Sequence, residues 1–213
     1  MAAKQELSFD QPKRRRNALA TREAILQSAL AAFSRHGYDG IGVREIAEAA
    51  GVTAVLVNRY FGSKEELFAE AVELAFADNS LFEGEFTELA NRLSAVIMRK
   101  TEPQDKPNDA LLLLLRSAPN PRAAEILRDC IARRFERPLK SLLQGPRAEE
   151  RAAMVLALIL GFVLMRRVIR SKGLFDDSGS LAGELKIMLQ RLIESSARSD
   201  VPRRHNRAKK HDK

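Results

Sequence analysis

The sequence predicts an all-α protein, a small N-terminal three-helix domain followed by a larger helical domain, about nine helices in all. Three observations carry this. The composition is rich in Ala, Leu, Arg and Glu and poor in aromatics, with ten Phe, two Tyr and no Trp, a mixture that favours helices over sheet. Apolar residues recur at helical spacing and no strand-like alternation runs through any segment. Gly and Pro fall between the periodic segments, where helices end and begin.

The elements follow in order. Residues 1–17, with Pro12 and the run Lys13–Arg16, read as a flexible basic arm. Thr21 is a good N-cap, Ala24, Ile25, Ala29, Leu30 and Phe33 recur at helical spacing and Gly37 closes the segment, so the first helix is expected over 21–36. After the turn 37-GYDGIG-42 come two short helices, 43–50 and 53–61, separated by Gly51 and Val52. Gly62 stops the chain, and Ser63 caps a longer helix with Glu66 placed to complete a capping box. Further helices are expected at about 83–100, 109–117, 121–143, 147–172 and 180–197. Residues 199–213, with Pro202 and a run of basic residues, read as a disordered basic tail.

The net charge of +8 is unevenly spread: the excess lies in the first 64 residues and the tail, while 65–198 is balanced. Localised positive charge suits a polyanion, although a basic terminus is also what an ordinary solvated tail looks like. A single cysteine, Cys130, gives no disulfide framework and fits a reducing compartment; within a helical pattern it reads as a small buried hydrophobe. The N-terminus has no apolar stretch of the kind that directs secretion. The run 152-AAMVLALILGFVLM-165 falls short of the ~20 residues that cross a bilayer and reads as a helix buried in protein. A cytoplasmic protein without a membrane segment is expected.

The segment 44-REIAEAAGVTAVLVNRYF-61 has the spacing of a helix-turn-helix. Ala47 is small where the second helix crosses, Gly51 turns the chain, and Ile46, Ala50, Val52 and Val57 fill the wedge between the helices. Those roles leave Thr53, Ala54, Val55, Asn58 and Arg59 pointing away from the wedge, with Tyr60 closing the end. For single residues a plainer reading stays open: Tyr60 as a packing residue with a wet hydroxyl, Arg44 as a partner of Glu45 or Glu48.

The block 37-GYDGIGVREIAEAAGVTAVLVNRYFGSKEELFAEAV-72, preceded by TREAILQSALAAFSRH, resembles the DNA-binding domain of TetR/AcrR-type transcriptional regulators. The resemblance is specific over about 21–72: glycine turns, an IA-x-x-AGV core, an aromatic pair and the SKEEL helix start. It implies a helix-turn-helix domain over 18–66 and a helical effector-binding and dimerisation domain over 67–198. It makes 53–61 the recognition helix in the major groove. Arg44 then occupies a base-reaching position, and arginine to guanine is the commonest specific contact. Thr53, Asn58, Tyr60 and Lys64 match phosphate-contacting positions, Lys64 also standing at a helix N-terminus. Arg59 would serve a phosphate or a base, and Ala54 and Val55 would leave readout to thymine methyls and DNA shape. The family often has Tyr where this chain has Asn58, and a Thr before the second helix where it has Gly42 and Val43, so one phosphate contact and one helix cap are altered.

The resemblance further implies a homodimer on a palindromic operator, released by a small molecule of unknown identity. The last two helices would pair with their two-fold mates, bringing Leu156, Leu160, Val163, Leu181, Leu185, Met188, Leu189 and Leu192 to the interface. Candidate effector-pocket residues are Phe86, Leu89, Leu93, Ile97, Leu112, Leu115, Ile126, Leu127, Cys130 and Phe135, each of which would serve equally as plain core. No cofactor is expected, no metal-ligand spacing occurs, and His205 and His211 lie in the tail while His36 ends the first helix, so no catalytic constellation is expected. The competing reading is a helical adaptor that binds a protein or membrane surface through its basic ends.

Overall fold

The computed structural model describes residues 11–78, 82–100, 109–143, 145–175 and 180–194. The tail expected over 199–213 lies outside them. All regular structure among the described residues is helical. α1 spans Gln11–His36, α2 Val43–Ala49, α3 Ala54–Phe61 and α4 Lys64–Ala75; α5 is Leu89–Lys100 and α6 Ala110–Ser117. α7, Pro121–Ile131, runs without interruption through a π-helical stretch, Ala132–Glu136, into α8, Arg137–Leu142; α9 is Ala148–Arg167 and α10 Ser180–Glu194. With α7 and α8 taken as one rod, the described residues hold the nine helices expected.

Two helix starts differ from expectation, and α9 ends at Arg167 rather than near 172, with a separate 3-10 turn at Lys172–Leu174. α1 starts at Gln11 rather than near Thr21, so the basic run is helical. Pro is tolerated in a first helical turn, and Lys, Arg, Ala and Leu propagate a helix well, so nothing stops α1 at Thr21. Thr21 is not a cap: its hydroxyl donates to the Asn17 carbonyl one turn back, at 2.8 Å. α5 begins at Leu89, not near 83, because a short 3-10 turn at Phe86–Glu88 precedes it. The π stretch has a local cause. Pro138 has no N–H for the Arg134 carbonyl and its ring crowds that carbonyl, and the chain widens so that the Arg137 N–H reaches the Ala132 carbonyl.

Burial divides into two cores. The first joins α1–α4 to α6 and α7 through Ile25, Phe33, Ile46, Val57, Leu67, Phe68, Leu113, Leu127 and Cys130. The second joins α5, α8, α9 and α10 through Leu89, Leu93, Leu139, Val155, Leu185 and Leu189. The first core crosses the expected division at 66–67, because α4 gives it Leu67, Phe68, Ala71 and Val72. Its aromatic centre is a trio, with Phe68 edge-on to Phe33 and to Tyr38 at 5.0 Å each. Cys130 is buried there, and burial, with the Glu73 carboxylate beside it, pushes its thiol up to about 12, so it is an inert packing group. No helix among the described residues is long and apolar enough to cross a membrane.

A polar corner fastens the α1–α2 turn to α6 and α7. Arg116 donates to the carbonyls of Ser34 and Arg35 at 2.7 and 2.8 Å, closing the C-terminal end of α1. Ser117 Oγ accepts from the Tyr38 N–H at 3.1 Å, and the Asn120 amide donates to Asp39 at 2.9 Å. Gly37, at φ +73°, lets this happen: a Cβ there would stand 2.4 Å from the Arg116 carbonyl oxygen.

At Gly51, with φ +68°, a Cβ would meet nothing within 4 Å, and a side chain there faces only the conformational cost. Gly37→Ala is therefore expected to cost about 2–3 kcal/mol and lower Tm by roughly 5–10 °C, and Gly51→Ala only about 1 kcal/mol. Thermal unfolding of the two variants followed by circular dichroism checks the difference.

Candidate nucleic-acid interface

The α2–α3 corner is built as the spacing predicts. Ile46, Ala47 and Val57 are buried in the wedge, Ala50 and Val52 pack against it, and Gly51 turns the chain. The cap that a Thr would supply is made differently here. The Glu45 carboxylate accepts the Gly42 N–H at 2.6 Å, closing the first turn of α2 from inside the helix. Glu45 is thereby spent on the cap, and Arg44 stands exposed beside it with no ion-pair partner among the described residues.

Along α3 the candidate residues separate. Thr53 is the exposed N-cap, its Oγ1 3.4 Å from the Leu56 N–H, a long cap bond that leaves the hydroxyl loosely held. Val55 is 78% exposed, the most open large apolar side chain among the described residues. Asn58 and Arg59 are exposed, and Arg59, like Arg44, has no ion-pair partner among the described residues. Ala54 departs from expectation: it is half-buried and packs on the first core rather than standing clear of the wedge. Tyr60 is likewise half-buried against that core, so its ring packs while its edge stays open.

α3 stops at Gly62, at φ +79°, and the chain re-enters a helix within two residues. Ser63 caps α4 by accepting the Glu66 N–H at 3.1 Å. The return half of the expected capping box is absent among the described residues: the Ser63 N–H goes to the Phe61 carbonyl at 2.9 Å, and Glu66 takes the Ser63 hydroxyl instead. Lys64 follows at once, its Nζ 4.5 Å from the centre of the Tyr38 ring. That contact holds the ammonium by its attraction to the ring face. Burial, followed by the nearby carboxylates of Glu65 and Asp39, pushes the Tyr38 hydroxyl up, so the ring remains neutral. Tyr38 is a residue that sequence reasoning misses; its one signal is an aromatic directly after the glycine that ends α1.

Elsewhere the cations that touch α4 are matched. Arg22 of α1 pairs with Glu70 and lies 4.7 Å over the Phe61 ring. Arg122 of α7 meets Glu65 at 3.2 Å, and Arg133 and Arg134 of the π stretch meet Glu73 at 2.6 and 2.7 Å. Burial tends to raise the Glu73 carboxyl, but the hydrogen bonds from Arg134 and Arg133 outweigh it and hold the carboxyl below its ordinary range. A depressed folded-state value stabilises the fold above the unfolded value, a contribution lost as pH falls through the folded one.

The remaining candidates scatter. Of the proposed pocket residues, Leu89, Leu93 and Ile97 are buried in the second core with Phe86 packed on it, whereas Leu127 and Cys130 are buried in the first with Ile126 packed on it. Leu112, Leu115 and Phe135 are half-buried and belong to neither. Phe135 lies between Phe76 and Phe82, ring centres 5.8 and 6.1 Å away. Of the proposed interface residues, Leu185 and Leu189 are buried within the chain's own second core, and Leu156, Val163 and Leu192 pack on it. Leu181 is half-buried, while Leu160 and Met188 are 40% and 51% exposed. Among the described residues no group of His, Cys, Asp and Glu is placed to hold a metal.

With this geometry in place, comparison with known proteins is direct. Residues 25–71 match the family described as bacterial regulatory proteins, tetR family, and residues 87–193 match the tetracyclin repressor-like C-terminal domain. The HTH-type transcriptional regulatory protein RaaS of Mycobacterium tuberculosis is 53% identical over 49 residues, 23% of each chain. The HTH-type transcriptional regulator RutR of Escherichia coli K12 is 32% identical over 107 residues, 48% of this chain and 50% of that one. These matches span half or less of the relatives' own lengths. The crystal structure of a transcriptional regulator from Rhodococcus sp. Rha1 superposes with a TM-score of 0.58 at 26% identity, covering 82% of this chain and 97% of that one. The relatives are transcriptional regulators and not enzymes. The chain belongs to the tetR family of DNA-binding transcriptional regulators.

Proposed function

We propose that this regulator is a cytoplasmic homodimeric repressor that grips a palindromic operator through α2, α3 and the start of α4, and is released by a small apolar effector. The observation that carries the DNA-facing part is the distribution of cations. Arg22, Arg122, Arg133 and Arg134 are each neutralised by a carboxylate on α4, whereas Arg44 and Arg59 stand exposed, with no ion-pair partner among the described residues. Phosphate contacts from Thr53, Asn58, Tyr60 and Lys64 set the register, and Arg44 and the methyls of Val55 read base edges. The half-buried Ala54 contributes less than its position in the sequence suggests.

Two copies are required because a helix of 8 residues reads too few base pairs alone. The exposed apolar residues Met154, Leu160 and Met165 of α9 and Ile187 and Met188 of α10 offer a face for the partner. Leu185 and Leu189 serve the intramolecular core behind it. The effector reading rests on Phe135. An apolar molecule entering between the two cores displaces this ring, and its neighbours Arg133 and Arg134 hold Glu73 on α4, the helix that carries Lys64. Release follows if the molecule binds the displaced state better than the operator-bound one.

Selection of genomic fragments by the purified chain at about 0.15 M salt is expected to recover a short inverted repeat; recovery of unrelated sequence that elutes with modest salt would contradict the proposal. On the recovered repeat, Arg44→Ala and Tyr60→Ala are expected to weaken binding by about 1–3 kcal/mol with Tm lowered by no more than a few degrees. A large loss of fold with unchanged affinity per folded molecule would refute the assignment. By sedimentation equilibrium the chain is expected at twice its 23.8 kDa, and Leu160→Glu with Met188→Glu at the single mass. A wild-type monomer would remove the dimeric reading.

A further inference from the structure

We infer that the turn leading into α5 holds a site for an apolar molecule bearing a single carboxylate, and that Arg92 is the residue that grips it; this rests on the effector reading above and names the chemical class of that effector. The carboxylate takes one edge of the Arg92 guanidinium, and the apolar body lies with Phe82 and Phe135.

Arg92 stands in the first turn of α5, under the turn that precedes the helix. Its Nη1 donates to the Glu85 carbonyl at 2.7 Å, and the Gly84 backbone, at φ +96°, comes so close that a Cβ there would stand 3.2 Å from Nη1. Its Nε and Nη2 are buried with no hydrogen-bond partner, and among the described residues no other side chain has two such atoms. Leaving buried donors unpaired costs free energy, more for a charged group than for a neutral one. The acids nearest in sequence do not relieve it. Glu83, Glu85 and Glu88 are exposed; Glu85 gives Arg92 its carbonyl, and Glu88 takes the Asn91 amide. Elsewhere Arg122, Arg133, Arg134 and Arg167 each reach a carboxylate.

Nε and Nη2 share one edge of the planar guanidinium, where their N–H bonds run parallel, and a carboxylate matches that spacing with its two oxygens. The surroundings select the rest of the molecule. Phe82 precedes the Gly84–Glu85 turn and Phe86 follows it, both half-buried on the second core, and the Phe82 ring lies 6.1 Å from that of Phe135. These rings give the site an apolar wall, whereas Glu83, Glu85 and Glu88 place carboxylates on its exposed side. A second negative charge on the ligand would meet that acidic rim, so a single carboxylate on an apolar body fits and a polyanion does not. Because the edge is buried, the ligand reaches it when the turn lifts, and pairing of the guanidinium offsets the cost of lifting. Phe135 also packs edge-on against Phe76, the residue that ends α4. A molecule seated here therefore presses on the helix that begins at Lys64.

The test titrates the full chain, by isothermal calorimetry, with octanoate and phenylacetate, with their amides as neutral isosteres, and with octyl phosphate as a more highly charged head group. The carboxylates are expected to bind roughly tenfold tighter than the amides, and octyl phosphate no tighter than octanoate. Arg92→Met, which keeps an apolar stem and removes the unpaired donors, is expected to melt at or above the wild-type Tm and to bind octanoate and octanamide alike. Arg92→Lys, a point charge without the fork, should lose most of the tenfold preference. Failure of both carboxylates to bind more tightly than about 1 mM, or equal wild-type affinity for acid and amide, overturns the inference. Unchanged octanoate affinity in Arg92→Met does the same. So does a Tm lowered by more than a few degrees in that variant, which would make the guanidinium a satisfied support of the fold. Tighter binding of octyl phosphate assigns the edge to a phosphate and also overturns it. Release of the operator fragment by octanoate is measured separately: Arg92-dependent binding that leaves the operator complex intact fails the effector reading and keeps the site.

Discussion

The burial of α4 on the first core is the contact on which the rest depends. Leu67, Phe68, Ala71 and Val72 are fully buried against α1 on one side and α6–α7 on the other, each large side chain contributing about 1.5–3 kcal/mol. Because α4 belongs to the same core as α2 and α3, the corner that faces DNA cannot move as an independent bead on a linker. Its orientation follows whatever sets α4. The Arg116, Ser117 and Asn120 corner adds direction to this packing, fastening the end of α1 to α6 and α7 by hydrogen bonds that tolerate little rotation.

Electrostatics divides the surface in two. On the flank of α4 every described cation that reaches a carboxylate is matched, and Glu73 takes two arginines from the π stretch. Exposed pairs of this kind contribute little each to stability, but they specify which residue of α7 lies against which residue of α4. On the α2–α3 corner Arg44 and Arg59 have no carboxylate partner among the described residues. The same residue type thus serves register in one place and is proposed for recognition in the other, and the difference lies in whether a carboxylate stands opposite. The π stretch makes the register contact sensitive: Pro138 imposes it, and Arg133, Arg134 and Phe135 all sit within it.

Much of this is legible in the residues, and where it is not, the reason is physical. Ile46, Ala47, Gly51 and Val57 can be read because a helix-turn-helix wedge leaves few choices at those positions. The start of α1 cannot, because a threonine has the same side chain whether it caps a helix or bonds back to the preceding turn, and only the course of the chain before it decides. Ala54 is misplaced by spacing alone because helical periodicity fixes a direction but not the width of the neighbouring helix. The stripe expected at a dimer interface blends two faces: Leu185 and Leu189 differ from Met188 in burial though they are neighbours in sequence, and an apolar residue carries no mark of whether its partner lies in the same chain. The expected pocket residues scatter over two cores, with Leu112, Leu115 and Phe135 in neither, for a related reason, since periodicity tells which face is apolar and not which helix covers it. The Lys64 and Tyr38 contact joins residues far apart in sequence, out of reach of any local pattern.

The most direct test of the central claim, that α2, α3 and the start of α4 form a reading head placed in duplicate on DNA, is hydroxyl-radical footprinting of the full chain on its recovered fragment at about 0.15 M salt. The account predicts two protected windows on one face of the duplex, their centres a whole number of helical turns apart, the spacing being one turn (about 34–36 Å) or a small multiple of it. A single continuous protection without periodicity, or protection that moves freely along the fragment, would contradict it.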